Sequence, residues 1–351
     1  MESGHLDIAD LDGPLDLQST LESGQTYLWE RADGEDYTEL AAHGGDGWYE
    51  TVLPASPGLA RLPDRHSLST ELTQRPTVLR VRQTGSVDDG RLEWEAGGVD
   101  VDEEGPNEPT EPADGEALLT HLLRLDDDLN AIYDATDHEP LIEQAIERYR
   151  GMRVVRDPPF PCLVSFICSA QMRVARIHGM QRSLRESCGT PVSLGDRTLH
   201  AFPTPEALAD CTEADLRELG LGYRAPYVQR TAEMIAEGED DPADAGGKPY
   251  EEARAHLTRF VGVGDKVADC VLLFSLGYLQ ANPLDTWIQT AIEEYFSDCA
   301  GGNYDETSRA LRKRLGGGLP ETDEVFGESG AEAYAGYAQT YVFHLLRSDR
   351  S

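Results

Sequence analysis

The stretch Leu257–Phe296, LTRFVGVGDKVADCVLLFSLGYLQANPLDTWIQTAIEEYF, decides how the rest of the chain is read. Ahead of and into it, PYEEARAHLTRF puts Ala253, His256, Leu257 and Phe260 on one helical face. Gly262, Val263 and Gly264 then predict a tight hairpin, because glycine enters positive φ without steric cost. Asp265 reads as an N-cap, an apolar helix follows from Val267 to Leu276, and Gly277 ends it. A further helix begins near Asp285. A helix–hairpin–helix of this kind exposes backbone N–H groups beside a helix N-terminus, which is a ready phosphate site.

Lys266 follows the hairpin directly. It is one of only three lysines, with Lys248 and Lys313; the other basic residues (30 − 3 = 27) are arginine. Arginine binds phosphate but stays protonated, whereas a lysine can lose its proton and form a Schiff base. The competing reading is a solvated surface lysine. Asp285, after Pro283 and Leu284, is on its own an N-cap; paired with Lys266 in this frame it is a candidate catalytic carboxylate.

Gly262-x-Gly264-x-Lys266-Val267-Ala268-Asp269-Cys270 followed by Pro283-x-Asp285 resembles the helix-hairpin-helix DNA glycosylases, and most closely the eukaryotic-type 8-oxoguanine DNA glycosylase/AP lyases. Phe166-Ile167-Cys168-Ser169, Ala175-Arg176-Ile177, Leu219 to Ala225 (LGLGYRA) and Gly336-Tyr337-Ala338-Gln339 are similar to the same family. The likeness covers most of residues 116–351 and, more weakly, the first hundred.

A chain of 351 residues holds two or three domains with ample core. Its hydrophobic content of 39% and four tryptophans fit a folded chain, and no apolar run approaches membrane length. The acidic, polar first twenty residues predict no signal peptide, hence an intracellular, cytoplasmic and nucleoid-associated protein with no membrane partner. Six cysteines (162, 168, 188, 211, 270, 299) show no CxxC spacing, which favours reduced thiols and argues against an iron–sulfur cluster. Net charge is 30 − 65 = −35, the opposite of what phosphate binding favours. Either the protein does not bind DNA, or it works in a salt-saturated cytosol, where charge is screened beyond about 3 Å. Scarce lysine and abundant carboxylates fit the second, a halophilic and archaeal setting.

The fold expected is α+β: an N-terminal twisted antiparallel β-sheet domain over residues 1–100, an acidic linker or loop at 101–115, and a mainly α-helical helix-hairpin-helix glycosylase domain over 116–351. Residues 24–30, 47–53, 77–82 and 91–95 alternate apolar and polar residues, with Asp-Gly and Gly-Gly turns between them. GGVDVDEEGPNEPTEPADG, residues 97–115, is rich in acid, Pro and Gly. Helices are expected at Glu116–Leu125, Leu141–Tyr149, from Cys162 through Ile177 towards Gly189, Thr204–Leu219, Tyr227–Ala236, Asn303–Leu315 and Ala331–Leu346. Arg182 and Arg185 read as a solvated helical face with charge partners.

The resemblance implies a role for each site residue. Lys266 is the nucleophile at the deoxyribose C1′; burial against Cys270 and the hairpin must lower its pKa. Asp285 steadies the developing sugar cation and helps proton transfer. Tyr223 is the wedge that replaces the extruded base, Arg224 an opposite-base contact, and Arg176 the contact to the estranged cytosine. The Gly24 carbonyl accepts N7–H of 8-oxoguanine, Gln339 binds the pairing edge, and Phe343 and Cys270 sandwich the base. Gly262 and Gly264 carry the phosphate contacts. Departures are Gln171-Met172-Arg173, where the family has a run of asparagines, and Trp287, where it has a histidine. No required cofactor and no catalytic metal are implied; the hairpin carbonyls offer a monovalent cation, potassium, a place. The partner is double-stranded DNA containing an oxidised guanine, bound by a monomer. Two alternatives stand: a helix-hairpin-helix glycosylase for a different damaged base, and a non-catalytic DNA-binding module, which would need none of Lys266, Asp285, Gly24 or Gln339.

Overall fold

Period-two burial builds the first layer. In Thr77–Thr84 and Arg91–Val99, residues Leu79, Val81, Leu92, Trp94 and Ala96 are buried, while Arg80, Arg82, Glu93 and Glu95 share the wetter face. The structure is a computed structural model that describes residues 1–37, 46–56, 68, 73–101, 107–136, 139–170, 172–316 and 334–349. Strands β1 (Glu2–Asp7), β2 (Glu30–Arg31), β3 (Tyr49–Leu53), β4 (Thr77–Thr84), β5 (Arg91–Val99) and β6 (Pro109–Pro112) form one antiparallel sheet in the order β1-β5-β4-β3-β2, with β6 also on β5. Register is held by burial on one face and by charge on the other: Arg80 lies opposite Glu95 and Arg82 opposite Glu93, at 2.5 and 2.7 Å.

Two parts of this layer differ from the sequence reading. Strand β6 falls inside the stretch expected as linker, capping the end of β5. Residues Gly24–Trp29, expected to be a strand, form a buried loop after helix α1 (Leu17–Glu22). Side-chain hydrogen bonds replace the missing ladder: Gln25 donates to the carbonyls of Thr20 (2.9 Å) and Arg153 (2.8 Å) and accepts from Val155 N–H (2.9 Å).

The helical layer runs α2 (Gly115–Leu123), α3 (Leu129–Thr136), α4 (Pro140–Arg148), α5 (Pro159–Cys168), α6 (Val174–Cys188), a small hairpin of β7 (Pro191–Leu194) and β8 (Arg197–His200), then α7 (Pro205–Asp210), α8 (Glu213–Glu218), α9 (Ala225–Ala236), α10 (Tyr250–Leu257), α11 (Asp265–Phe274), α12 (Thr286–Tyr295), α13 (Tyr304–Leu315) and α14 (Ala335–Asp349). The helix read as continuous from Cys162 towards Gly189 is two helices, broken at Ser169–Arg173. The helix read over Thr204–Leu219 also splits, where Thr212 and Asp215 form a capping box.

A single apolar cluster extends from Ile8 through α5, α11 and α14. Arg153 is fully buried beneath it and binds the carbonyls of Arg124 (2.8 Å), Asp127 (3.0 Å) and Gly13 (3.4 Å), which ties the first residues of the chain to the helical layer. Arg185 was expected to be solvated; it is 4% exposed and donates to the Tyr27 carbonyl at 2.7 Å while pairing with Glu30.

Asp157 is buried, with the Thr26 hydroxyl (3.1 Å) as the one donor to its carboxylate among the described residues, and burial pushes its pKa up to about 7. A raised carboxylate pKa means that the native state holds a proton the unfolded chain has released between about pH 4 and 7, so stability falls as pH rises through that window. Asp157→Asn keeps the acceptor for Thr26 and removes the charge. It should raise the unfolding free energy above pH 7 by roughly 2–4 kcal/mol and flatten the pH dependence, as read by thermal denaturation across pH in concentrated KCl.

Candidate active site

Three separate stretches meet around Lys266. The first is the hairpin between α10 and α11. Gly262 has φ +84°, and a Cβ there would stand 2.7 Å from Tyr227 Cβ of α9, so the turn requires glycine twice over. The Thr231 hydroxyl of α9 also donates to the Val261 carbonyl at 3.0 Å. Gly264 differs from expectation: its backbone is extended, it replaces Asp265 as N-cap of α11, and the space around its Cα is open. Gly262 and Gly264 are both exposed, beside the free N–H groups of the α11 N-terminus.

The second stretch is the break between α5 and α6. Lys266, in the first turn of α11, donates from Nζ to Ser169 Oγ at 2.9 Å, and Ser169 donates to the Phe166 carbonyl at 2.7 Å. Lys266 Nζ also lies 5.4 Å from the centre of the Phe166 ring, within cation–π range. That ring stacks on Phe274 at 5.5 Å and meets the edge of Tyr27 at 6.1 Å. Cys270 lies one turn after Lys266; burial pushes its thiol up to about 12, against the pull of the Lys266 amine.

The third stretch is Pro283-Leu284-Asp285. Asp285 caps α12, accepting from Ile288 N–H at 2.8 Å, so the structural role read for it is present. It is also a charge neighbour of Lys266. Burial holds its pKa above the ordinary carboxylate range, opposed by the Ile288 N–H, the Lys266 amine and the Trp287 N–H. The Trp287 ring is half-buried against the core, and an indole offers no cation where the family carries histidine.

The candidate base pocket draws on both ends of the chain. Gly24 has φ +98°, and a Cβ there would meet Val174 Cγ2 at 2.8 Å. Arg347 of α14 donates to the carbonyls of Ser23 (2.8 Å) and Glu22 (3.2 Å), and its guanidinium lies 5.8 Å from the Phe343 ring. The helix carrying Gln339 and Phe343 is thereby fastened to the Gly24 turn. Gln339 is 4% exposed and its Oε1 has no partner among the described residues. No hydrogen bond among the described residues ends on the Gly24 carbonyl. Two unpartnered acceptors in a buried setting are expensive unless a ligand supplies donors.

The candidate DNA face carries exposed aromatic and cationic groups. Tyr223 is 56% exposed and meets Tyr227 edge-on at 6.4 Å. Arg173 and Arg176 are exposed and form no ion pair among the described residues, whereas Arg182, Arg217 and Arg230 are each tied to glutamates. Arg176 packs over Gly220 in the glycine loop before Tyr223. Arg224 departs from expectation: it is 5% exposed, binds the Ala170 carbonyl, and stands 4.3 Å behind the Tyr223 ring. It packs against Tyr223 instead of reaching outward. Gln171 lies outside the described residues. Ser169, Arg347 and Gln25 were not singled out from sequence, since nothing local marks a Ser at a helix end or an Arg near a C-terminus as part of a distant site.

Residues 164–316 match the HhH-GPD superfamily of base excision DNA repair proteins, and residues 8–163 match the 8-oxoguanine DNA glycosylase N-terminal domain. The two matches adjoin and together run from residue 8 to residue 316. Among curated relatives, the N-glycosylase/DNA lyase of Saccharomyces cerevisiae is 33% identical over 257 residues, covering 65% of this chain and 66% of the yeast protein. The N-glycosylase/DNA lyase of Arabidopsis thaliana is 32% identical over 249 residues, covering 67% and 63%. The chain therefore spans just under two thirds of the length of either. The Clostridium acetobutylicum 8-oxoguanine glycosylase/lyase, solved with double-stranded DNA containing cytosine opposite 8-oxoguanine, superposes with a TM-score of 0.70 at 22% identity over 97% of this chain and 94% of its own. At that identity the likeness establishes the shared fold.

If Asp285 serves as the catalytic carboxylate it must be ionised to steady positive charge, and because its pKa is raised, base excision is then expected to fail on acidification at a higher pH than an ordinary carboxylate would give. Asp285→Asn should remove that acid limb and slow single-turnover base release by roughly a hundredfold or more, with DNA binding retained. A pH–rate profile of both proteins tests this; normal turnover by Asp285→Asn returns the residue to a simple helix cap.

Proposed function

We propose that this chain is a DNA repair glycosylase that excises 8-oxoguanine from duplex DNA and then cleaves the strand as an AP lyase. The observation that carries the proposal is a lysine amine at a glycine hairpin, bonded to Ser169 and within electrostatic reach of the Cys270 thiol and a desolvated Asp285. A DNA-binding module would have no use for that pair.

In the proposed reaction the deprotonated Lys266 amine attacks C1′ of the extruded nucleotide, the C1′–N9 bond breaks, and the base leaves with the electron pair and takes up a proton. Asp285 stabilises the oxocarbenium-like sugar and assists proton transfer. The C1′–O4′ bond then opens as the lysine nitrogen forms an imine with C1′ and O4′ takes up the proton the nitrogen sheds; the imine acidifies C2′, and loss of that proton breaks the C3′–O bond, expels the 3′-phosphate and cuts the strand. Tyr223 fills the gap in the stack, and Arg176 takes the acceptors of the estranged cytosine. Recognition rests on the Gly24 carbonyl. 8-Oxoguanine carries N7–H and can donate to it, whereas guanine presents a lone pair, a mismatch worth roughly 1–3 kcal/mol. Gln339 binds the pairing edge, with Phe343 and Cys270 on the two faces of the base.

Among the described residues no three His, Cys, Asp or Glu side chains gather to hold a metal ion. The hairpin offers neutral backbone carbonyls, of which Val261 already accepts the Thr231 hydroxyl and Phe260 the Val263 N–H. Donors of that type suit a weakly held monovalent cation, and potassium there forms part of the proposal. So does a monomeric enzyme working inside the cell on nucleoid DNA in a halophilic, potassium-rich cytosol. No helix among the described residues is long and apolar enough to cross a membrane.

The deciding experiment is strand cleavage on a panel of lesion-bearing duplexes across KCl concentrations, with circular dichroism alongside. The expectation is preference for 8-oxoguanine opposite cytosine, and activity that rises with KCl into the molar range, because a net charge of −35 repels DNA over about 30 Å at 0.01 M salt and far less when screened. Preference for an alkylated base would support the other-lesion reading. A folded protein most active near 0.1 M and declining steadily above it would overturn the halophilic account.

A further inference from the structure

Lys266 and Asp285 sit on different elements, so their separation has to be set by something other than either helix. Asp269 is fully buried on α11, three residues after Lys266, and two tyrosines donate to it: Tyr250 from α10 at 2.5 Å and Tyr304 from the start of α13 at 2.7 Å. The same Tyr304 oxygen that donates to Asp269 accepts the backbone N–H of Leu284 at 3.2 Å. Leu284 immediately precedes Asp285, and its carbonyl is held in turn by the Gln289 side chain at 3.4 Å. The chain of bonds therefore runs from α11, through one phenolic hydroxyl, to the backbone beside the candidate carboxylate. Arg254 and Arg312 flank the tyrosine rings at 5.6 and 4.1 Å from Tyr250, with Arg254 also 5.9 Å from Tyr304, and supply counter-charge to the buried carboxylate.

We propose that Asp269 and Tyr304 are positioning residues for base excision: the Asp269–Tyr304–Leu284 bridge fixes the distance between the Lys266 amine and the Asp285 carboxylate. Neither side chain touches the reacting atoms. Their effect is geometric, and a misplacement of about 1 Å in a reacting pair costs on the order of a hundredfold in rate. A hydroxyl is required at this point because it must donate to a carboxylate and accept from an N–H with one oxygen. A buried carboxylate at Asp269 is required because it anchors that hydroxyl in the orientation that leaves a lone pair for Leu284.

The inference rests on the reading of Lys266 and Asp285 as the reacting pair, and its test separates the two ideas. Tyr304→Phe removes one oxygen and keeps the ring. Single-turnover base release, binding to a duplex carrying a non-cleavable abasic analogue, and thermal denaturation are measured on the full chain in concentrated KCl for wild type, Tyr304→Phe, Asp285→Asn and the double variant. Tyr304→Phe is expected to slow release at least tenfold in the wild-type background, with binding within about threefold, and to slow it less than threefold further in the Asp285→Asn background. That non-additivity is the signature of one residue acting through another. A purely structural Tyr304 would cost the same in both backgrounds, and that outcome overturns the bridge alone; so does a Tyr304→Phe single variant with wild-type rate. Full activity of the Asp285→Asn single variant overturns the reading of Asp285 beneath it.

Discussion

One amine with too many neighbours is the constraint around which the site is arranged. Lys266 must stand where a hydroxyl, a thiol, an aromatic face and a carboxylate all reach it, and those groups come from three stretches far apart in sequence. Each stretch needs a backbone that leaves its helix or changes course at the right place. The hairpin does so at Gly262, the α5–α6 break at Ser169, and the Pro283–Asp285 segment at the α12 cap. None of these turns is spare. A continuous helix through Ser169, as the sequence pattern suggested, would carry the hydroxyl along the helix instead of leaving it at an end where Lys266 reaches it.

The second demand is that the two ends of the chain cooperate. Gly24 belongs to the N-terminal layer and Gln339 to the last helix, yet both present acceptors without partners among the described residues. Arg347 joins them through the Ser23 and Glu22 carbonyls, while Gln25 anchors the same loop from the other side. A polar group left unpartnered in a buried place costs stability unless something later bonds to it, so such groups mark where a ligand belongs. The acidic surface poses no conflict with this arrangement. Burial, hydrogen bonds and stacking work at contact distance, where screening by salt matters little, and Arg173 and Arg176 are exposed without an ion pair among the described residues.

Much of this could be read from the chain alone, and the reasons are physical. Glycines at 262 and 264, a rare lysine and a carboxylate after proline form a local pattern, so Lys266 and Asp285 stood out as candidates, and the structure makes them charge neighbours. Strands β4 and β5 were legible because one face is wet. Gly24–Trp29 was misread because its apolar and polar residues were taken to alternate as in a strand with one wet face, whereas the whole loop is buried and the Gln25 side chain supplies the bonds that a ladder would have made. Arg185 was read as solvated because arginine usually is, and Arg224 as an opposite-base contact because of the family resemblance; both are buried against carbonyls. Asp269 left a signal that went unused. It is a charge inside the apolar run Val267–Phe274, and a charge there must find donors, which turn out to be Tyr250 and Tyr304.

The central claim is that a single lysine amine performs the chemistry, and covalent trapping tests it most directly. The full chain is incubated with a duplex carrying 8-oxoguanine opposite cytosine in concentrated KCl with borohydride, then digested, and the cross-linked peptide is sequenced by mass spectrometry. The account predicts one DNA-linked peptide, modified at Lys266. Linkage at Lys248, Lys313 or the Met1 amine, or base release with no trapped adduct at all, would contradict it.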